Sequence, residues 1–155
     1  RRSGRRGRRH RAGGRWPALF REDQALREIE QVRALGGRYL VAGQGLYPRL
    51  LAEAEDAPPL LTALGDVTLL DKPLVAMVGA RNASAAACRF ARSLAHELGR
   101  EGQVVVSGLA RGIDAAAHEG ALETGTIGVI AGGLDVFYPP ENERLQRSLA
   151  SQGLV

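Results

Sequence analysis

Three glycine-bearing segments hold most of the side chains in this sequence that could do chemistry. They read GARNAS at 79–84, SGLARGID at 107–114 and AGGLDVFYPPEN at 131–142, and each follows a short apolar run. Glycine lets a backbone come close to a ligand, and an arginine guanidinium can donate two parallel hydrogen bonds to a phosphate. We therefore predict that the three segments form one composite phosphate-binding edge.

The first segment has the length of a dinucleotide-binding fingerprint but lacks its residues. Arg81 and Ser84 stand where that motif places glycines close to a pyrophosphate. The acidic residue expected about 20 positions further on, for a ribose hydroxyl, falls at 106–108, which reads Val-Ser-Gly. A nicotinamide cofactor is therefore disfavoured, and no cofactor is predicted. Arg81 is predicted to bind phosphate, with a solvated or salt-bridged arginine as the alternative.

The second segment is the most specific of the three. Gly108 and Gly112 would let the backbone curl towards a ligand, and Ser107 offers a hydroxyl. Asp114, in the first turn of the next helix, is expected to cap backbone N–H groups or to brace an arginine. His118 lies one helical turn later, and we favour a structural Asp–His contact over a catalytic pair because no nucleophile is placed beside them.

The third segment adds aromatic residues to the predicted edge. Phe137 or Tyr138 could stack on a base or pack beneath the following Pro-Pro turn. Asn142 could cap the next helix or bond a base edge. Asp114 and His118 are predicted supports, and no catalytic set and no metal ligands are predicted. The predicted phosphate- and DNA-binding residues are Gly79, Arg81, Asn82, Ser84, Ser107, Gly108, Arg111, Gly112, Gly132, Gly133, Tyr138 and Asn142.

Alternating strand and helix patterns are expected to position these segments. Strands are predicted at 74–78, 104–106 and 127–131, and helices at 84–100, 113–123 and 141–150. Such alternation with short connections predicts an α/β fold, a Rossmann-like parallel sheet with helices on both faces. A glycine turn at Gly153 leads into what reads as a further strand, so we expect the sheet to be truncated at its C-terminal side.

The sequence before residue 73 divides into two parts. Residues 21–72 are predicted to form a βαβ-like lead-in to the Rossmann-like domain, which extends over 21–155. Residues 1–20 are predicted to be a disordered arginine-rich tail, either a polyanion-binding arm or a solvated linker.

The charge balance argues against a uniformly basic surface. The chain carries a formal +4, and the eight arginines of residues 1–15 leave residues 16–155 at −4. Nucleic-acid binding must therefore depend on where individual arginines lie. The apolar runs are too short for a membrane span, and the lone Cys88, which can form no internal disulfide, fits the reducing cytoplasm that we predict as the location.

Four strings together resemble one protein family. GARNAS, SGLARGIDAAAH, TIGVIAGGLDVFYPPEN and the upstream YPRLL…DAPPLLTALG look like the DNA-processing protein A family, DprA or Smf, from about Ile29 to Val155. The resemblance implies a Rossmann-like domain that binds single-stranded DNA, loads RecA during natural transformation, acts as a homodimer and needs no enzymatic activity. It places Gly79, Arg81, Ser107, Gly108, Arg111 and the segment 138–142 in the DNA pocket. Family members continue beyond Leu154, so the chain resembles the first half of that domain.

An enzymatic function is the alternative. Nucleoside-monophosphate phosphoribohydrolases of the lysine-decarboxylase-like Rossmann group share glycine-rich strand ends. Those enzymes pair a GG-x-GT motif with a glutamate at a set spacing. Here Pro139 stands six residues past Gly133, and no Gly-Thr follows the double glycine. The binding function is therefore favoured.

Overall fold

The computed structural model describes residues 21–155. The predictions for residues 1–20 lie outside the described residues. Two short 3-10 turns occur at Val67–Asp71 and Pro140–Asn142. The helices and strands, in chain order, are α1 (Glu22–Ala34), β1 (Arg38–Val41), α2 (Arg49–Ala52), β2 (Leu60–Ala63), β3 (Leu74–Ala76), α3 (Ala85–Arg100), β4 (Val104–Ser107), α4 (Ile113–Ala121), β5 (Thr126–Gly128) and α5 (Glu143–Gln152).

A parallel sheet in the order β3-β4-β5 forms the centre of the fold. Its register pairs Val75 with Val105, and Val106 with Ile127. α3 and α4 pack on one face, where alanines such as Ala95 and Ala117 are fully buried against Val105. Small side chains let these helices approach the strands and each other closely. The predicted α/β fold with a Rossmann-like parallel sheet is confirmed.

The opposite face of the sheet is covered by the segment that precedes it. Side chains alternate across a strand, so Val104 points away from the face that Val105 occupies. There it packs with Leu40, Tyr47 and Leu69, which come from β1, the approach to α2 and the first 3-10 turn. The Tyr47 hydroxyl donates a hydrogen bond to the Pro58 carbonyl at 2.7 Å, which anchors the turn before β2.

The lead-in differs from the predicted βαβ-like arrangement. β1 and β2 pair antiparallel, with Tyr39 opposite Thr62. A crossover helix has to return the chain along the full length of a strand. α2 has only four residues, about 6 Å of helix, against about 13 Å for a four-residue strand. The chain reverses instead through turns at Gly43 and Gly45, which both have positive φ.

Residues 153–155 join the two sheets. Leu154 forms a parallel bridge to Ile127 and an antiparallel bridge to Gly65. Leu64 and Val155 exchange backbone hydrogen bonds of 2.8 and 2.9 Å. The strand predicted to begin at Leu154 is thus present as a bridge between the lead-in and the parallel sheet.

Some large apolar side chains of the predicted helices and strands are exposed. Phe90 is 69% exposed and Leu94 is 40% exposed, whereas Ala91 and Ala95 of the same helix are buried. β3 is an edge strand, and the end of the predicted strand at Val78 is 79% exposed. In residues 21–155, no helix has the length and apolar character needed to cross a membrane.

Candidate functional site

The three glycine-bearing segments meet at the carboxyl ends of β3, β4 and β5. In parallel α/β sheets this edge is the usual place for a ligand, because helix N-termini present free N–H groups there. The segments enclose a cleft of about 490 Å³. Its lining residues are Arg81, Gly108, Ala110, Arg111, Val129, Ile130, Ala131, Gly132, Val136, Tyr138 and Pro139.

The first two loops interlock through glycines. A Cβ added to Gly79 would lie 2.6 Å from the Ile113 side chain, and one added to Gly112 would collide with the backbone carbonyls of Ala80 and Arg81. The Ile113 N–H donates to the Ala80 carbonyl at 3.3 Å. Gly79 and Gly112 were predicted to serve ligand approach, but the packing of one loop on the other already requires them. Gly108, by contrast, is exposed and lines the cleft.

Leu109 fixes the shape of the second loop. Its φ is +57°, the left-handed region that a leucine rarely adopts. Its side chain is completely buried in a cluster with Leu149. The Asn142 amide donates to the carbonyls of Leu109 and Ala110, at 2.8 and 3.2 Å. Asn142 therefore clamps the third segment to the second, and its side chain makes no capping bond to α5.

Ser107 and Asp114 are both buried and both hold the loops in place. The Ser107 hydroxyl, predicted to face a ligand, instead donates to the Met77 carbonyl at 2.6 Å and so ties β4 to β3. Asp114 accepts a hydrogen bond from the Gly108 N–H at 3.2 Å, as the capping prediction required. Neither arginine of the cleft pairs with Asp114 within the described part of the chain.

His118 is structural, but its partner is not the predicted one. Its ring lies fully buried, with Nδ1 2.8 Å from the Thr126 hydroxyl. That hydroxyl donates to the Val105 carbonyl, so Nδ1 must carry the proton that His118 donates to it. Burial lowers the pKa of His118 to about 4, against a smaller opposing effect from the charge of Asp114. The expected direct Asp–His contact is replaced by a His–Thr contact.

The start of α3 is built by Ser84. Its hydroxyl oxygen accepts a hydrogen bond from the Ala87 N–H at 3.2 Å, the usual N-cap geometry. Asn82 is exposed in the loop before it. Ser84 was predicted to bind phosphate, and its hydroxyl oxygen already serves the helix.

The two arginines of the cleft differ in their pairing. Arg81 is exposed, and among residues 21–155 it has no carboxylate partner. Arg111 lies with Nη1 3.3 Å from Glu141 Oε1, and both side chains are more than half exposed. An arginine beside free backbone N–H groups can hold an anion. Arg81 is thus the more available of the two donors.

The aromatic residues of the third segment divide cleanly. Phe137 is half-buried, and the Arg147 guanidinium lies 4.4 Å from its ring centroid. Tyr138 is 72% exposed and lines the cleft. It precedes Pro139 through a cis peptide bond. Of the two candidates for base stacking, Tyr138 is the one that faces the cleft.

Backbone N–H groups in the second loop lack protein acceptors among the described residues, which favours an anionic ligand. Within residues 21–155, the N–H groups of Leu109, Ala110, Arg111 and Gly112 donate to no protein acceptor. The loop opens α4, whose positive dipole end adds to the attraction. Gly132 lines the cleft, and Gly133 lies next to it along a groove against α1.

Sequence reasoning missed the apolar wall of the cleft. Val129, Ile130, Val136 and Pro139 line it, yet nothing in their residue types marks them as site residues. Their only signal is that they flank Gly132 in the chain.

The fold and the cleft define a class: a Rossmann-like α/β protein whose parallel strands end in an open, arginine-bearing cleft. The chain belongs to the DNA recombination-mediator protein A family, because the model of that family matches residues 38–155. The resemblance carried by the sequence motifs is therefore confirmed.

Relatives in the family align with more than two thirds of the chain. The chain is 48% identical over 111 residues to DNA processing protein DprA of Streptococcus pneumoniae, covering 70% of this chain and 39% of the relative. It is 41% identical over 112 residues to DprA of Bacillus subtilis, covering 70% and 38%. The chain thus spans about two fifths of the length of these curated relatives.

Two solved structures share the fold. The X-ray structure of DprA from Streptococcus pneumoniae superimposes with a TM-score of 0.78 at 38% identity, over 88% of this chain and 47% of that one. A structure of DprA from Helicobacter pylori gives a TM-score of 0.66 at 35% identity, over 76% and 54%. That second structure was described for its single-stranded DNA binding mode.

Proposed function

We propose that this chain forms the single-stranded DNA-binding part of a DprA-type protein that acts in DNA processing during natural transformation. The observation that carries the proposal is Arg81, exposed in the cleft and without a carboxylate partner among residues 21–155, beside the N–H groups of Ala110 and Arg111, which donate to no acceptor in that range. The structure of the Helicobacter pylori relative, described for its single-stranded DNA binding mode, supports the choice of ligand.

The chemistry of the cleft suits a sugar-phosphate backbone with a base beside it. Arg81 and the N–H groups of Ala110 and Arg111, which line the cleft, would contact phosphate oxygens, as arginines and helix N-termini do in nucleic-acid complexes. Tyr138 offers an exposed ring on which a base could stack, an interaction worth about 1–3 kcal/mol. The apolar wall around Val129 and Val136 would exclude water from the stacked base.

The cleft favours binding over catalysis. Within residues 21–155, the side chains that line the cleft include no carboxylate, imidazole or thiol, and the neighbouring Glu141 carboxylate is paired with Arg111. A phosphoribohydrolase needs a carboxylate to activate water or to form a covalent intermediate. Asp114 could not supply this, since it is buried and bonded to the Gly108 N–H, and His118 is buried against Thr126 of β5. We therefore infer that the cleft binds its ligand without turning it over.

The decisive measurement is fluorescence anisotropy of a labelled oligonucleotide titrated with the full-length protein. Arg81→Ala is expected to weaken binding about tenfold or more, because it removes a charge-assisted hydrogen bond. It should also make the salt dependence of log K shallower by about 0.7, the value for one lost contact to single-stranded phosphate. Arg89→Ala is the matched control, an exposed arginine on α3 outside the cleft.

Two results would contradict the proposal. If Arg81→Ala and Arg89→Ala bound the oligonucleotide as tightly as the wild type, the cleft would not be the DNA site. If the wild-type protein released adenine from AMP, detected by chromatography, the phosphoribohydrolase alternative would replace the binding function.

The remaining assignments follow the family and apply to the full-length protein. We propose that it acts in the cytoplasm as a homodimer and loads RecA on single-stranded DNA. Sedimentation velocity would test the dimer. A RecA ATPase assay on DNA covered by single-strand binding protein would test loading. If the full-length protein loads RecA, ATP hydrolysis should begin sooner when that protein is added.

A further inference from the structure

Glu141 occupies a position that a ligand of the cleft would contest. Its Oε1 atom lies 3.3 Å from Nη1 of Arg111, whose side chain lines the cleft. A carboxylate offers two oxygens to a guanidinium in the same way that a phosphate does. Glu141 pairs with Arg111 through one carboxylate oxygen, as an anion that belongs to the protein itself.

The fold holds the two charged groups together. Glu141 is the middle residue of the 3-10 turn Pro140–Asn142, and Arg111 lies in the loop before α4. The next residue, Asn142, bonds the carbonyls of Leu109 and Ala110, immediately before Arg111 in the chain. Asn142 thus fastens the turn that carries Glu141 to the loop that carries Arg111. The folded backbone therefore keeps the two charged side chains within reach of each other.

A ligand can separate the Arg111–Glu141 ion pair at little energetic cost. The side chains of Arg111 and Glu141 are 60% and 51% exposed, and exposed pairs contribute little to stability. A phosphate diester entering the cleft can take Arg111 while the Glu141 carboxylate turns to water. Arg81 has no such partner in the described part of the chain, so it is available to the ligand from the start.

We propose that Glu141 is an intramolecular competitor for Arg111, which lowers the affinity of the cleft and selects ligands that can present a second phosphate after Arg81 is engaged. The inference rests on the proposed function. It predicts that a single phosphate group binds the cleft weakly. A chain of linked phosphates can displace Glu141, because the phosphate bound to Arg81 holds the next phosphate close to Arg111.

The test is a double-mutant cycle on the full-length protein, with oligo(dT) binding measured by anisotropy at fixed salt. Glu141→Gln is expected to tighten binding about two- to fivefold, the range of an exposed ion pair. In an Arg111→Ala background the same substitution should change binding by less than about 1.5-fold, because the competitor has lost its target. Glu143→Gln is the matched control, since Glu143 pairs with Arg147 on α5.

The outcomes separate the two proposals. Failure of the wild-type protein to bind oligo(dT) would overturn the proposed function. If the wild type binds but Glu141→Gln binds equally or more weakly, Glu141 is not a competitor and this inference is wrong. If Glu141→Gln tightens binding equally with and without Arg111, or no more than Glu143→Gln does, the effect is general repulsion, and the inference is again wrong.

Discussion

The polar side chains around the cleft have two distinct duties. One group forms hydrogen bonds to the backbone of neighbouring segments: Ser107, Asp114 and Asn142. Arg81 and Tyr138 are left exposed towards the cleft. A substitution in the first group should act on stability and loop geometry, and one in the second group should act on ligand binding.

His118 gives the folded chain a stability that depends on pH. Its pKa falls from 6.5 to about 4 because burial disfavours the charged ring. The unfolded chain therefore binds a proton at a higher pH than the folded chain does. Stability is expected to fall as the pH drops from 6.5 towards 4, by about 1.4 kcal/mol per pH unit from this residue.

Urea unfolding followed at several pH values would measure this slope. His118→Gln removes the titrating ring, so the variant should lose less stability than the wild type between pH 6.5 and 4. Equal slopes in the two proteins would show that the buried histidine does not cause the pH dependence.

At the scale of elements, the site depends on how the loop before α3 packs on the loop before α4. Gly112 has φ +78° and ψ −120°, and any side chain there would meet the carbonyls of the first loop. Gly112→Ala is expected to lower the free energy of unfolding by about 2–5 kcal/mol, from backbone strain and steric overlap together.

Gly102→Ala is the control that introduces backbone strain without steric overlap of the new side chain. Gly102 has the same φ of +78°, but no atom lies within 4 Å of an added Cβ. It should cost only about 1–2 kcal/mol in denaturant unfolding. Equal losses for the two variants would mean that the loops are not held against each other through Gly112.

The sequence predicted these elements better than it predicted the duties of their side chains. Apolar runs and helical periodicity located β3 to β5 and α3 to α5, because burial imposes those patterns locally. The partner of a hydroxyl or an amide is set by the tertiary structure. Ser107 bonds Met77 at a separation of 30 residues, and Asn142 bonds Leu109 at 33. No local pattern reveals such pairs, so Ser107 and Asn142 were predicted as ligand contacts although their side chains bond the backbone.

The antiparallel lead-in was missed for a related reason. Residues 38–63 contain two apolar runs with a helical piece between them, which is also the pattern of a βαβ unit. The direction of β2 depends on a four-residue helix and two glycine turns, and the sequence pattern did not distinguish these from a true crossover.

For the molecule as a whole, Gly153 is the point where the two sheets meet. A Cβ there would collide with the Thr126 carbonyl oxygen, and the Gly153 carbonyl accepts a hydrogen bond from the backbone N–H of Asp66 at 2.7 Å. Gly153→Ala is expected to cost about 1–3 kcal/mol of stability through overpacking. It should also raise hydrogen exchange in residues 60–69 more than in α3.

The neighbouring Gln152→Ala, at an exposed position, serves as its control. Exchange that rose uniformly across the chain in Gly153→Ala would show that the lead-in and the parallel sheet open together. Unchanged exchange at 60–69 would show that this junction does not secure the lead-in.

Leu109 has one further consequence. Leu109 is fully buried, and its main chain joins Gly108 to Ala110, which both line the cleft. Its side chain packs with Leu149 in the core and lies 2.6 Å from where a Cβ on Gly128 would be. Its left-handed backbone is maintained by that burial and by Asn142. Mutations among the core residues can therefore alter the orientation of the N–H groups in the cleft. Evolution can adjust the affinity of such a protein from within, while every residue that touches the ligand stays the same.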